Sequence, residues 1–242
     1  MNRSAMEEAV TRFEDKREIK NLMGKYVQAL TIRWDDKLWE LFWSQKQPDV
    51  SLGINEGYYA GPEAIQAYYN ATKAYITRCG KLMQELFPKE LGDKSDEELY
   101  GVGVFEQKPI QSGVVRVAGD RKTAKGLWVC NGNSSQIGPA GPTANWTWGY
   151  FAADFVLEDG QWRIWHLLYL EDIKSRCGQN WAAPQEVLPP RPEFAGLAET
   201  GIPEPNVKRT LRERYTPDRV FTPTPPVPVP YESFGDTFSY GL

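Results

Sequence analysis

The stretch Trp146-Thr147-Trp148-Gly149-Tyr150-Phe151-Ala152-Ala153-Asp154-Phe155-Val156-Leu157-Glu158-Asp159-Gly160-Gln161-Trp162-Arg163-Ile164-Trp165-His166-Leu167-Leu168-Tyr169-Leu170 decides the fold. Two β-prone runs flank Asp159-Gly160, a dipeptide suited to a two-residue turn because both central positions need positive φ. That turn sets a register: Glu158 faces Gln161, Leu157 faces Trp162, Phe155 faces Ile164, Ala153 faces His166 and Phe151 faces Leu168. With side chains alternating along each strand, one face then collects Leu157, Phe155, Ala153, Phe151, Trp162, Ile164, His166 and Leu168. It is apolar except for the chain's single histidine, so it is expected to be covered by helices, with small residues opposite the imidazole leaving room for a pocket. The other face mixes Asp154 and Arg163 with large aromatics and suits an exposed surface or a subunit interface.

Working towards the N-terminus, Lys108–Val117 and Thr123–Asn131 alternate about Gly119-Asp120 and read as a further strand pair. Val50 to Ala60 reads as a small hairpin around Asn55-Glu56-Gly57. Between these, Gly61-Pro62 opens a helix with proline at its first position, and 81–100 is helical in part. Ile19, Leu22, Met23, Tyr26 and Leu30 recur at three and four residues, predicting an amphipathic helix over Glu14–Leu30. Asp36 is the expected cap of a short second helix carrying Leu38, Trp39, Leu41 and Phe42. Helices first and an antiparallel meander after give an α+β class, the helices lying on one face of a curved sheet. After Asp172 the composition shifts, and Thr222 to Pro230 is proline-rich. The aromatics Phe221, Tyr231, Phe234, Phe238 and Tyr240 argue that this tail packs on its own domain or on a neighbouring subunit. The expected division is a pocket domain at 1–175 and an extension at 176–242.

Composition excludes several classes. A net charge of −4 with no long basic run argues against nucleic acid as a partner. No run of apolar residues is long enough for a membrane helix, and the polar, mixed-charge N-terminus does not resemble a targeting peptide, so a cytoplasmic protein is expected. Cys79, Cys130 and Cys177 lack ligand spacing and the chain has one histidine, so no metal site is expected. No phosphate-binding glycine loop or Ser-His-Asp order is present.

The helix Asp15–Leu30, the Trp39-x-x-Phe42 helix, Gly57-Tyr58-Tyr59-Ala60-Gly61-Pro62-Glu63-Ala64-Ile65, Gly119-Asp120-x-x-Thr123-Ala124 and Glu158–His166, taken in order, resemble the SnoaL-like branch of the nuclear transport factor 2-like superfamily. The resemblance covers about Asp15 to Asp172. It implies a cone, in which a strongly bent antiparallel sheet wraps N-terminal helices around a deep pocket. It also implies chemistry without metal or organic cofactor, as in scytalone dehydratase, ketosteroid isomerase, polyketide cyclases, a bile-acid dehydratase and a γ-formaldehyde lyase. Other members only bind ligands or proteins. Many relatives carry an acid or a histidine at the end of the first helix, where this chain has Thr31.

The expected site follows from these readings. His166 is the candidate general acid or base, its ordinary pKa lying near neutrality; the competing reading is a core histidine with both ring nitrogens bonded. Tyr59 could polarise a carbonyl or hydroxyl, and Asn131 could orient substrate. Tyr26, Thr31, Trp39, Phe42, Tyr68 and Met83 are the expected substrate-binding lining, which favours a flat, apolar, aromatic substrate. The resulting expectation is a cofactor-independent lyase, by dehydration or formaldehyde-releasing C–C cleavage, with isomerase chemistry second. The alternative is a non-catalytic small-molecule-binding or dimerisation module. A homodimer or larger homo-oligomer is expected in either case.

Overall fold

The computed structural model describes residues 3–55, 57–138, 141–182, 201–208, 214–222 and 225–242. Helix α1 (Arg3–Thr31) buries Ile19, Met23, Tyr26 and Val27 on one side. After a short α2 (Leu38–Phe42), the hairpin β1 (Ser51–Ile54) and β2 (Gly57–Ala60) leads into α3 (Pro62–Leu86), with Pro62 in its first turn. Two single-turn helices, α4 (Pro88–Leu91) and α5 (Asp96–Leu99), complete the helical half. Asp36 does not cap α2. Lys37 occupies that position without a side-chain bond, and Asp36 instead pairs with Lys73 at 2.9 Å.

The second half is sheet. Strands β3 (Glu106–Gln107), β4 (Ile110–Val117), β5 (Thr123–Gly138), β6 (Gly141–Glu158) and β7 (Gln161–Arg176) form its body. The order is β3-β5-β6-β7-β1-β2-β8, with β4 also on β5 and β8 (Val207–Lys208) contributed by the C-terminal extension. The described pairs are antiparallel except β1 beside β7, which is parallel. Helices α1, α2 and α3 fill the concave side of this strongly curved, open sheet, and the main core lies between them. Phe151, Phe155, Trp162, Ile164, Leu167 and Tyr169 are among the sheet residues of that core. The class is therefore α+β, as the sequence predicts.

The hairpin forms as expected and then departs from expectation. Asp159 and Gly160 take φ of 49° and 77°, and Glu158–Gln161, Leu157–Trp162 and Phe155–Ile164 pair as read. Between Asp154 and Phe155 the register then shifts, so His166 faces Asp154 and Leu167 faces Ala153. Trp165 is the extra residue of this β-bulge. One extra residue reverses the parity of every side chain beyond it. Leu167 and Tyr169 therefore point into the helix-covered core, while His166 and Leu168 point to the outer face. The expected pairs Ala153–His166 and Phe151–Leu168 are not formed.

Candidate active site

On the outer face His166 is buried at 4% exposure, but by the chain's own C-terminus instead of by helices. Its Nδ1 lies 2.9 Å from Asp154 Oδ2 and 3.2 Å from Ser239 Oγ, and Gly241 packs on the ring. Asp154 also accepts from Lys125 Nζ at 2.6 Å and from the backbone N–H of Tyr240 at 2.8 Å. Lys125 and Asp154 are both fully buried. The Lys125 ammonium lies within 4.5–5.8 Å of the ring centroids of Phe234, Phe238, Tyr240 and Tyr231. Burial depresses the Lys125 pKa, an effect that Asp154 partly offsets. Ser, His and Asp are all present, but Asp154 and Ser239 share one ring nitrogen. A relay would need them on opposite nitrogens. The arrangement is a sealed anchor for the C-terminal segment.

The concave side holds a different cluster. A hollow of about 80 Å³ opens between α1, α3 and the sheet, walled by Tyr26, Tyr68, Tyr69, Tyr169, Leu52 and Phe151. Its charged members are Arg33, Asp35, Glu106 and Lys108. Lys108, in the segment between β3 and β4, reaches Glu106 at 2.5 Å and sits 4.0 Å from the centroid of the Tyr169 ring. Glu106 also accepts from Arg33 Nη1 at 3.2 Å. Arg33 grips Asp35 through two bonds of 3.1 and 2.7 Å, and Asp35 accepts from Tyr100 Oη at 2.6 Å. Arg33 holds φ of 61°, uncommon for a side chain of its size, and the ion pairs it makes offset that strain.

The electrostatics follow from this packing. Lys108 and Arg33 hold the Glu106 carboxyl at about 2, outweighing the partial burial that would raise it. Burial alone would depress Lys108, but the charges of Glu106 and Glu171 and the hydrogen bond to Glu106 outweigh it and raise the ammonium well above its ordinary pKa. Burial pushes the phenols of Tyr26, Tyr68, Tyr69 and Tyr169 upward, so all four are neutral hydroxyls near pH 7. Tyr26 and Tyr69 bond each other at 3.1 Å, and Trp43 Nε1 donates to Tyr69 at 3.1 Å. The hollow thus offers one fixed ammonium, one ionised carboxylate beside it and a wall of neutral phenols.

Of the residues expected from sequence, Tyr26 and Tyr68 line this hollow. The Tyr59 ring is tilted against Tyr68, their centroids 4.6 Å apart, but Tyr59 donates its hydroxyl to Pro203 O at 2.9 Å. Thr31 bonds back to Val27 O at 3.0 Å, as a helix-terminal threonine does. Phe42 meets Tyr26 edge-on and Trp39 stacks on Trp43, both within or against the main core. Met83 belongs to a separate cluster with Cys79 and Ile137. Asn131 accepts from Gln111 Nε2 at 2.6 Å and is not in the lining. His166 stands on the other side of the sheet. Arg33, Asp35, Glu106 and Lys108 were not anticipated, although the spacing Glu106-x-Lys108 places both on one face of an extended segment.

Residues 11–167 match the model of the SnoaL-like domain, and the chain belongs to that family. Its fold is that of the nuclear transport factor 2-like proteins. Among solved structures, a hexachlorocyclohexane dehydrochlorinase, LinA type 2, is 12% identical over 74% of this chain and 99% of that one, with a TM-score of 0.50. A second LinA structure is 13% identical over 73% and 99%, also at 0.50. An NTF2-like protein with a cystatin-like fold from Novosphingobium aromaticivorans is 15% identical over 70% and 90%, at 0.44. No curated protein sequence matches the chain. No described helix is long and apolar enough to cross a membrane.

Proposed function

We propose that this chain is a cofactor-independent lyase acting on a small hydrophobic, aromatic molecule that carries a carbonyl or hydroxyl. The supporting observation is the Lys108 ammonium, half-buried and held beside Glu106 in a hollow walled by tyrosines. An ammonium fixed where an oxyanion develops stabilises it more strongly than water does, because the site need not reorganise. Lys108 polarises the substrate oxygen, helped by the neutral hydroxyls of Tyr68 or Tyr169. Glu106 takes the proton. A carboxylate held at about 2 is a weak base, so that proton must be acidified by the carbonyl that Lys108 polarises. In water loss the carbon–oxygen bond on the adjacent carbon breaks and the leaving hydroxide takes the proton back from Glu106. In formaldehyde loss Glu106 instead takes the hydroxyl proton, the carbon–carbon bond breaks, and the electron pair moves to the oxygen that Lys108 holds until the carbon is reprotonated. The same fold serves a dehydrochlorinase, whose reaction is also an elimination.

Size sets a further condition. An apolar cavity of roughly 150 Å³ accommodates benzene, and this hollow is about 80 Å³. Substrate entry therefore requires a wall residue to swing, and Tyr68 on α3 is the candidate.

The test is mass spectrometry of a panel of aromatic hydroxy-ketones and diaryl alcohols incubated with the protein. Conversion of one of them, cut at least about 10²-fold by Lys108→Met, supports the reading. Full turnover in Lys108→Met overturns the role of Lys108. A second reading, a non-catalytic binding module, has one observation in its favour: both carboxylates of the hollow, Asp35 and Glu106, are already ion-paired. Compounds that bind and are never converted would favour it. A homo-oligomer is part of the proposal, and a monomer by light scattering at micromolar concentration removes it.

A further inference from the structure

The larger of the two hollows described is on the opposite side of the sheet, and part of its wall, from Asp172 onward, lies beyond the family-matched residues 11–167. At about 310 Å³, it is walled by Trp148, Tyr150 and Val129 of the sheet and by Trp181, Tyr215 and Phe221 of the extension. Such a volume lies at the lower end of ordinary small-molecule sites. A second irregularity creates it. Between Trp148 and Gly149 the β6–β7 register shifts, leaving Asp172 as the extra residue. A Cβ on Gly149 would lie 1.8 Å from Leu170 O, so the floor there is bare backbone. Bulges of this kind open a ladder and re-aim its side chains.

The walls have a definite chemistry. The Trp148 and Trp181 rings are 6.0 Å apart and inclined at 44°, and Trp181 and Tyr215 are 6.2 Å apart at 57°. Inclined rings form a corner, and a flat ring inserted into the hollow can meet them by offset or edge contact. Trp181, Val129 and Phe221 are 46%, 40% and 37% exposed, an apolar rim that water covers poorly. Asp172 is the charged member of the lining, and its backbone oxygen accepts the Tyr215 N–H at 3.1 Å. Among the described residues no basic side chain lines the hollow, so an anion entering it would shed water without meeting a counter-charge.

We propose that this hollow is a second binding site, for an uncharged planar aromatic molecule of one or two rings. It is built jointly by the sheet and by the extension, so it is a feature of this chain and not of the SnoaL-like domain alone. It shares no lining residue with the Lys108 hollow.

The experiment titrates the full chain with 2-naphthol, read by tryptophan fluorescence and by calorimetry, with 2-naphthoate as the charged comparison. Saturable 2-naphthol binding is expected, about tenfold weaker in Trp148→Ala and in Trp181→Ala. Naphthoate should bind at least about tenfold more weakly than naphthol. Val129→Arg, a change at the exposed rim, should block binding if the tryptophan variants do not fold. Lys108→Met should leave it unchanged, which separates this site from the proposed active site. Binding weaker than about 1 mM, binding lost in Lys108→Met but kept in Val129→Arg, or self-association of the chain that Val129→Arg abolishes would each overturn the proposal.

Discussion

Two lysines, one on each side of the same sheet, sit in opposite settings: Lys125 is fully buried, and Lys108 is half-buried. Lys125 on the outer face meets one carboxylate, Asp154, and is enclosed by four aromatic rings of the C-terminal segment. Lys108 on the inner side meets Glu106 and faces a hollow. The residue types are nearly the same, and access is what differs. An ammonium sealed among rings can only hold the structure together, whereas one at the wall of a cavity can act on whatever enters. Composition therefore says little about role here. The sheet face and the covering segment decide it.

The largest expected effect breaks the sealed side. Asp154→Asn leaves Lys125 buried without a counter-charge, and removing one partner of a buried pair costs about 3–5 kcal/mol. Thermal unfolding should fall by roughly 6 °C or more. An unchanged midpoint would mean that water reaches Lys125 and that the two sides are alike. Next comes the open side. Lys108→Met should lower turnover at least about 10²-fold while costing less stability than Asp154→Asn, because Arg33 still pairs with Glu106. Equal losses of stability in the two variants would erase the distinction.

Acid sharpens the comparison further. Glu106 is held at about 2 in the fold against an ordinary 4.5, so its contribution to stability is present above about pH 4.5 and disappears as pH falls towards 2. Urea unfolding of Glu106→Gln should accordingly show a shallower loss between those values than the wild type. Matching acid profiles would show that Glu106 is not held down by Lys108 and Arg33. The smallest effect belongs to His166→Gln, which keeps a donor towards Asp154 and should cost about 1–2 kcal/mol.

Much of the fold is legible in the sequence, and the reasons are local. The three-and-four spacing from Ile19 to Leu30, proline at the start of α3 and the Asp159-Gly160 turn each act over a few residues. The face of His166 is not legible, because one extra residue at Trp165 changes the parity while leaving the alternating pattern intact. Nothing in Ala153-Asp154-Phe155 or Ile164-Trp165-His166 announces that shift. The inner cluster is hidden for another reason. Arg33 and Asp35 follow the first helix, Glu106 and Lys108 flank the start of the meander, and only tertiary packing brings them together. Thr31 stands where the resemblance implies an acid, and the proposed site takes its carboxylate from Glu106 instead. Tyr26 and Tyr68 both face the inner hollow, where helical periodicity orients them, whereas Met83, further along α3, belongs to a separate cluster.

One measurement goes to the centre of this account: turnover of a single converted aromatic substrate by Lys108→Met and His166→Gln, side by side, each shown to be folded by circular dichroism. The account predicts at least about a 10²-fold loss for Lys108→Met and less than about a threefold change for His166→Gln. Wild-type turnover in Lys108→Met, together with a dead His166→Gln, would contradict it and move the chemistry to the outer face.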